Sequence, residues 1–399
     1  YFTFDKFVLD PVEDVRIAKT AHEEGRAAAI IGSYGAKSIA VLPFVNMSDD
    51  PGNEYFSDGI SEELLNLLAK IPELRVISRS SAFSFKGKNL KIADIARELN
   101  VVHVLEGSVR KTGNQVRITA QLIEGQTDMH LWSETYDRTL DNIFAIQDEI
   151  AAAVVQELKI KLLGHYTEKY SVAPEVYEQF LLGRYLINQG TIEGGTKAIE
   201  IFTAVLEQKV DYVPAWSELH RAYINQILNR QLAREEGLPV ALEAICRAIE
   251  LDPDDAISLS RLGWVKMKFQ ADLRAAAQYH ERSHALEPGN AIVLANVAAL
   301  LTALGRVQKS IIVHEWVVQR DPLNPISVFN LSHAYFAGGR FDKAEAGLRK
   351  TLQLSPGYAG APGQLARVLY NKGDLDAARQ LIEKAPPSMV RVLGEALMH

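Results

Sequence analysis

Four prolines in the second half of the chain recur at a nearly constant spacing, and this period constrains the fold more than any other feature. The successive intervals are 35, 34 and 34 residues, between Pro253, Pro288, Pro322 and Pro356. A small residue precedes each proline by twelve positions: Ala241, Ala276, Ser310 and Ala344. Thirty-four residues accommodate two short helices that touch at the small position. Such a pair cannot bury its apolar face alone, so the period predicts helix pairs that stack on one another.

A helix–turn–helix period of 34 residues is the signature of tetratricopeptide repeats, which this part of the chain resembles. Less regular units flank the regular ones: Gly183 and Phe202 mark a first repeat, and Trp216 begins a second. The sequence therefore predicts about six repeats over residues 176–385, in an all-α superhelix. We expect a capping helix at residues 386–399, because a terminal repeat has an open apolar face.

The first third of the chain has a different pattern, in which strands and helices alternate. The apolar run Ile39–Phe44 predicts a buried strand, and turn-forming residues follow it. Asp58 or Ser61 is expected to cap a helix at Ser61–Lys70. Further strands are expected at Leu74–Ser78, Val101–Lys111 and Met129–Arg138, and further helices at Ile92–Leu99 and Ile143–Leu162.

A hairpin and a long helix complete this region. Gly113 and Asn114 predict a two-residue turn between two strands. The second strand alternates apolar with polar residues, through Val116, Ile118, Ala120 and Leu122. Asp141 is expected to cap the last helix, whose buried stripe is Ile143, Ile146, Ile150, Val154 and Leu158. The fold class predicted for residues 38–165 is α+β, a mixed sheet with helices.

The stretch IAVLPFVNMSDDPGNEYFSDGISEEL closely resembles the start of the TolB-like amino-terminal domain. The resemblance continues through Leu74–Lys88, Val104–Glu124, His130–Arg138 and Ile143–Ala151. This domain is common in bacterial membrane-bound signalling proteins, where tetratricopeptide repeats usually follow it. The resemblance implies the extracytoplasmic part of a membrane-bound adenylate cyclase or winged-helix (CadC-like) regulator, on the periplasmic side of the inner membrane.

The ends of the domains are predicted from composition. Residues 1–37 are expected to form a membrane-proximal tether helix or linker, and residues 166–175 a polar linker between the domains. The chain begins at Tyr1 and has no run of about 18 apolar residues. Since related sequences carry a transmembrane helix just before this point, we expect the membrane anchor and an output domain to lie upstream.

Composition excludes several classes of function. The formal net charge is −7 and there is no basic block, which argues against nucleic acid as a partner. Cys246 is the single cysteine, so the chain has no internal disulfide framework. No phosphate-binding loop or nucleophile-elbow motif occurs. Acid pairs such as Glu62–Glu63 and Asp254–Asp255 are expected to complement helix dipoles. The sequence predicts neither a cofactor nor a catalytic residue.

The run His280-Glu281-Arg282-Ser283-His284 has the spacing of a zinc peptidase motif. Its position in the repeat argues against that function, because His280 occupies the same inward-facing slot as Ile245 and Leu348. Pro288 also ends the helix soon afterwards. We therefore expect a helix-face pair of histidines with satisfied hydrogen bonds, and we reject a metal site.

The groove formed by the first helix of each repeat is the predicted binding surface. Aligned on the repeat, the groove positions are Arg221, Asn225, Trp264, Met267, His333, Phe336, Arg367 and Tyr370. Aromatic residues interleaved with arginine suit a protein or peptide partner. Packing between repeats is the alternative role for Trp264 and Phe336.

These observations predict a non-enzymatic, sensory interaction module of a membrane-anchored bacterial signalling protein. An alternative is a periplasmic envelope assembly factor without signalling output. Whether the chain forms a homo-oligomer stays open at this point, as does the identity of the partner.

Overall fold

The computed structural model describes residues 37–69, 71, 74–157, 172–189, 191–356, 358 and 360–383. Residue contacts divide this part of the chain into two compact units, residues 37–290 and residues 291–383. None of the described helices is both long enough and apolar enough to cross a membrane.

A six-stranded mixed sheet opens the first unit. Its strands are β1 (Ser38–Val41), β2 (Val45–Asn46), β3 (Arg75–Val76), β4 (His103–Thr112), β5 (Gln115–Glu124) and β6 (Met129–Thr139). The order is β3-β1-β4-β5-β6, with β2 also paired to β4. β1 runs parallel to β3 and β4, whereas β4, β5 and β6 are antiparallel. Gly113 has φ +58°, and Thr112 pairs with Gln115 across the predicted two-residue hairpin turn.

Helices pack against this sheet, as the α+β class requires. They are α1 (Glu54–Ala69), α2 (Arg79–Phe83), α3 (Ile92–Leu99) and α4 (Ile143–Glu157). α1 and α4 contact each other and share a core with inward side chains of β1, β4 and β5. The predicted apolar face of β5 is buried, and so are the predicted stripe residues of α4 from Ile143 to Val154.

The predicted start of α1 is wrong. The helix expected at Ser61–Lys70 begins at Glu54, directly after a 3-10 turn at Pro51–Asn53. Asp50 caps that turn by accepting a hydrogen bond from the backbone amide two residues later, at 2.8 Å. Gly59 lies inside the helix, where a Cβ would collide with Leu181 of a neighbouring helix.

Asp58 and Ser61, the two expected caps, therefore have other roles inside α1. The Ser61 hydroxyl accepts a hydrogen bond from the Phe44 amide at 2.8 Å and donates to the Ser57 carbonyl at 2.9 Å. Asp58 forms an ion pair with Lys86, with 2.5 Å between Oδ1 and Nζ. Both residues tie α1 to neighbouring segments instead of starting the helix.

Three helix pairs follow in the first unit. They are α5 (Pro174–Asn188) with α6 (Ile192–Gln208), α7 (Val213–Leu228) with α8 (Arg234–Leu251), and α9 (Ala256–Gln270) with α10 (Leu273–Leu286). Ala241 and Ala276, two of the predicted contact positions, are fully buried. Gly183 allows close approach of α5 and α6, because a Cβ there would lie 2.6 Å from the Phe202 ring.

Three further pairs make up the described part of the second unit. They are α11 (Ala291–Ala303) with α12 (Val307–Arg320), α13 (Pro325–Ala337) with α14 (Phe341–Leu354), and α15 (Gly360–Lys372) with α16 (Leu375–Glu383). Ser310 and Ala344 are fully buried at the contact positions. The described residues thus contain six helix pairs, the number that the period predicts.

Some expectations concern residues outside the described part of the chain. The tether at residues 1–37, apart from its last residue, lies outside it, as do Leu158, the linker at 166–171 and the capping helix at 386–399. α5 begins at Pro174, within the range predicted as linker.

Candidate binding surfaces on the helical repeats

The sheet and the first helix pairs of residues 37–290 share one apolar core. Leu64 of α1 and Leu181 of α5 belong to the same buried cluster. Gln147 of α4 donates a hydrogen bond to the buried hydroxyl of Tyr177 on α5, at 2.8 Å. The sheet region is therefore packed directly on the first repeat, without an intervening solvent layer at these contacts.

Charged and polar side chains lie at the contact between α1 and α5 and continue along α7 and α9, the first helices of the next two pairs. We call this group the junction cluster: Glu62, Glu63, Arg79, Arg184, Asn188, Glu218, Arg221 and Arg261. Its members come from four helices, α1, α5, α7 and α9, and from Arg79 at the start of α2.

Arg184 is the centre of the junction cluster. Its guanidinium forms ion pairs with Glu62 and Glu63 of α1, while only 9% of its side chain is exposed. Arg79 contacts Glu62 from the other side, with 2.9 Å between Nε and Oε2. Burial by itself raises the pKa of Glu62, but Arg184 and Arg79 outweigh it and hold that pKa below its usual value. The Glu62 carboxylate stays ionised because its cations are present.

Glu218 of α7 holds the second half of the cluster. It accepts from Arg221 at 2.6 Å and from Arg261 of α9 at 3.0 Å. Burial raises the pKa of Glu218, but the neighbouring guanidiniums lower it to about 2. Arg221 also donates to Asn188 of α5 at 3.0 Å. The cluster thus joins successive helices through charge-assisted hydrogen bonds.

Half of the predicted groove residues lie in the first unit, residues 37–290. Arg221 and Asn225 lie on α7, and Trp264 and Met267 lie on α9. Arg221 already has intramolecular partners in the junction cluster. Trp264 packs against Phe269 with ring centroids 5.7 Å apart, edge to face. All four side chains are partly exposed, so a partner could still reach them.

The other half lies in the second unit, on α13 and α15. The structure brings Arg367 over the ring of Phe336, with 5.1 Å between the guanidinium carbon and the ring centroid. His333 and Tyr370 are exposed on the same two helices. Phe336 also contacts Phe341 at 5.7 Å, so it packs within its repeat and borders the surface at once.

The histidines of the zinc-like motif are buried in the repeat. His280 is fully buried on α10 and lies against Gly263, where a Cβ would approach its ring to 2.9 Å. Neither of its ring nitrogens has a hydrogen-bond partner among the described residues, so the expected satisfied pair is wrong for His280. Burial lowers its pKa to about 4. The described residues contain no cluster of three or more ligands suited to a metal.

Sequence reasoning missed most of the junction cluster. Glu62 and Glu63 were expected to complement the start of a helix, but they lie in the interior of α1 and bind Arg184. A signal did exist, because Arg184 and Arg221 occupy the same position in successive repeats. By contrast, Asp255 caps α9 as expected, accepting from the Ser258 amide at 2.8 Å.

Two protein families match separate parts of the chain. Residues 336–391 match the tetratricopeptide repeat family. Residues 35–153 match the second domain of HilA/YgeH-like transcriptional regulators. The first match identifies residues 336–391 as tetratricopeptide repeats, and the described helix pairs before them repeat the same helix–turn–helix unit. Such arrays generally bind proteins or peptides on an extended concave surface.

Two individual proteins are similar to parts of this chain. The chain is 38% identical over 244 residues to a protein of Rhizobium meliloti (strain 1021) named "Putative adenylate cyclase 3", covering 59% of this chain and 42% of the relative. It is 34% identical over 123 residues to the tetratricopeptide repeat and J domain-containing co-chaperone DNJ1 of Fusarium oxysporum f. sp. lycopersici, covering 29% and 24%. The chain thus spans less than half the length of these curated relatives.

Among solved structures, the chain is similar to PilW, a widely conserved type IV pilus biogenesis factor. The identity is 14% and the TM-score 0.42, over 56% of this chain and 100% of PilW. At this level the similarity supports no inference about function.

Proposed function

We propose that this chain is the partner-binding, sensory part of a membrane-anchored bacterial signalling protein, with a TolB-like domain followed by tetratricopeptide repeats. The observation that carries the proposal is a regulator-type domain, at residues 35–153, that shares one core with a repeat array. Such a shared core can pass a change at the repeats to the sheet region. The similarity to the Rhizobium protein named as a cyclase supports a signalling context.

In this proposal the chain takes no catalytic role. It lies on the periplasmic side of the inner membrane and binds a protein or peptide in the groove of the repeats. The output domain and the membrane anchor belong to sequence upstream of residue 1. The formal charge of −7 favours a protein or peptide over nucleic acid as the partner.

The location can be tested with alkaline phosphatase, which is active only after export. We expect activity when the enzyme is fused after His399 of the gene-encoded protein. A matched fusion placed before the upstream apolar segment should be inactive. An inactive fusion at His399 would contradict the periplasmic location. The upstream sequence separates the alternatives, since a signal peptide in place of an output domain and anchor would favour the envelope assembly factor.

Partner binding can be tested by site-specific photo-crosslinking in cells. A benzoylphenylalanine at Asn225 or Tyr370, both in the predicted groove, should give discrete cross-linked products. The same residue at Arg349, on the second helix of its repeat and 56% exposed, is the matched control and should give none. Equal cross-linking at all three positions would contradict a groove-specific partner.

A further inference from the structure

The first helices of the second unit are unusual in charge. α11, α13 and α15 contain no aspartate or glutamate, and their ionisable side chains are His333, Arg367 and Lys372, together with Tyr335 and Tyr370. The acids lie on the second helices: Glu315, Asp342, Glu345, Asp376 and Glu383. In a chain with a net charge of −7, these first helices thus carry basic but no acidic side chains. The predicted groove lining in this unit therefore favours a negatively charged partner.

Gln364 on α15 is a buried donor without an acceptor. Only 7% of the residue is exposed, and its Nε2 has no hydrogen-bond partner among the described residues. Its Oε1 faces Arg367, whose Nη1 lies 3.5 Å away. This contact orients the amide, because the opposite orientation would bring two donors together. A buried donor left unpaired is costly.

Arg367 stands one helical turn beyond Gln364 and is exposed. It forms no ion pair with the described residues, in contrast to Lys372, which contacts Asp342 at 2.6 Å and Glu345 at 2.8 Å. Its guanidinium is held over Phe336, and Tyr370 lies one turn further, 46% exposed. Arg367 and two aromatic rings therefore meet on one surface of α13 and α15, with the buried Gln364 amide next to Arg367.

We propose that this surface binds an acidic segment of a peptide or protein, and the proposal rests on the function proposed above. An aspartate or glutamate side chain of the partner would form an ion pair with Arg367. Its apolar neighbours would contact Phe336 and Tyr370. The charge of Arg367 selects a carboxylate over a neutral amide, because an amide leaves the guanidinium without a counter-charge.

Pools of random heptapeptides test this without knowing the natural partner. Both termini are blocked, a neutral dye is attached, and the central residue is fixed as Asp, Glu, Asn or Gln. Fluorescence polarisation with the full chain should show about 10-fold tighter binding of the acidic pools, which corresponds to about 1.4 kcal/mol. The preference should weaken as salt rises.

Single substitutions identify the residues that cause the preference for acidic peptides. Arg367→Gln should remove it while keeping an aliphatic stem over Phe336, and Arg349→Ala should retain it as the matched control. Gln364→Leu should raise the melting temperature, because it removes an unpaired buried donor.

The outcomes separate this proposal from the one on which it rests. Equal binding of acidic and amide pools, or a preference that survives in Arg367→Gln, would overturn recognition of an acidic segment but leave peptide binding standing. Failure of every pool to bind would overturn peptide binding by the groove as well.

Discussion

At the scale of single residues, Arg184 joins the first repeat to α1. Its one guanidinium forms ion pairs with two carboxylates, Glu62 and Glu63, in surroundings that exclude most water. Desolvation of three charges is costly, and their mutual attraction offsets it only while all of them are present. The arrangement specifies how α1 docks, because any shift would separate the charges.

Removal of Arg184 should therefore be destabilising. We expect Arg184→Ala to lower the free energy of unfolding by about 3 kcal/mol, since Glu63 would lose its ion pair and Glu62 would keep only the ion pair with Arg79, both in poorly solvated surroundings. Urea denaturation followed by circular dichroism measures this. Arg97→Ala is the control, because Arg97 is 78% exposed and its pair with Asp94 should contribute less than about 1 kcal/mol. Equal effects of the two variants would contradict the role of the junction cluster.

At the scale of elements, the sequence predicted what local pattern determines. The period predicted the helix pairs, and the alternation in β5 predicted its buried face. The prediction from sequence failed where a contact between distant residues overrides a local signal. Glycine is needed at position 59 of α1 because Leu181 packs against it. A Cβ at this position would lie 2.6 Å from the Leu181 side chain. The groove residues were predicted from their position in the repeat. The ion pairs between α1 and α5, in contrast, join residues that lie too far apart in the sequence for any spacing rule to predict.

At this scale, buried histidines make the folding stability of the repeats depend on pH. The folded pKa of His280 is about 4, against 6.5 when unpaired and solvated, so the unfolded chain binds the proton first as pH falls. The stability contributed by neutral His280 is fully present above pH 6.5 and is lost as pH falls towards 4. The loss is on the order of 3 kcal/mol. His314 has the same direction of shift, to about 4.

Replacement of His280 isolates its contribution. His280→Leu introduces a leucine at the position that Leu348 occupies in a later repeat, so the array should remain folded at pH 7. Hydrogen exchange of α9 and α10 should then lose part of its acceleration between pH 6.5 and 4, after correction for intrinsic exchange. His130→Leu, on exposed β6, should leave that profile unchanged. An unaltered profile in His280→Leu would show that His280 does not titrate during opening.

At the scale of the whole molecule, the division by sequence pattern and the division by packing differ. Pattern separates a sheet domain from a repeat array, whereas contacts place the sheet and the first three helix pairs in one unit, residues 37–290. A shared core predicts that these parts open together. A partner bound to the first repeats would then stabilise the sheet as well, which is the coupling that a sensor needs.

Two glycine substitutions test this coupling. Gly59→Ala would push a methyl group against Leu181 across the contact between α1 and α5, so we expect a loss of about 1–3 kcal/mol. Gly195→Ala is the matched control within α6, because nothing lies within 4 Å of its Cβ, and helix propensity should stabilise it by up to about 1 kcal/mol. In Gly59→Ala, hydrogen exchange should accelerate by a similar factor in β5 and in α6. Acceleration in the repeats with β5 unchanged would show that the sheet opens separately, and a binding event on the repeats would then have no path to the sheet through their shared core.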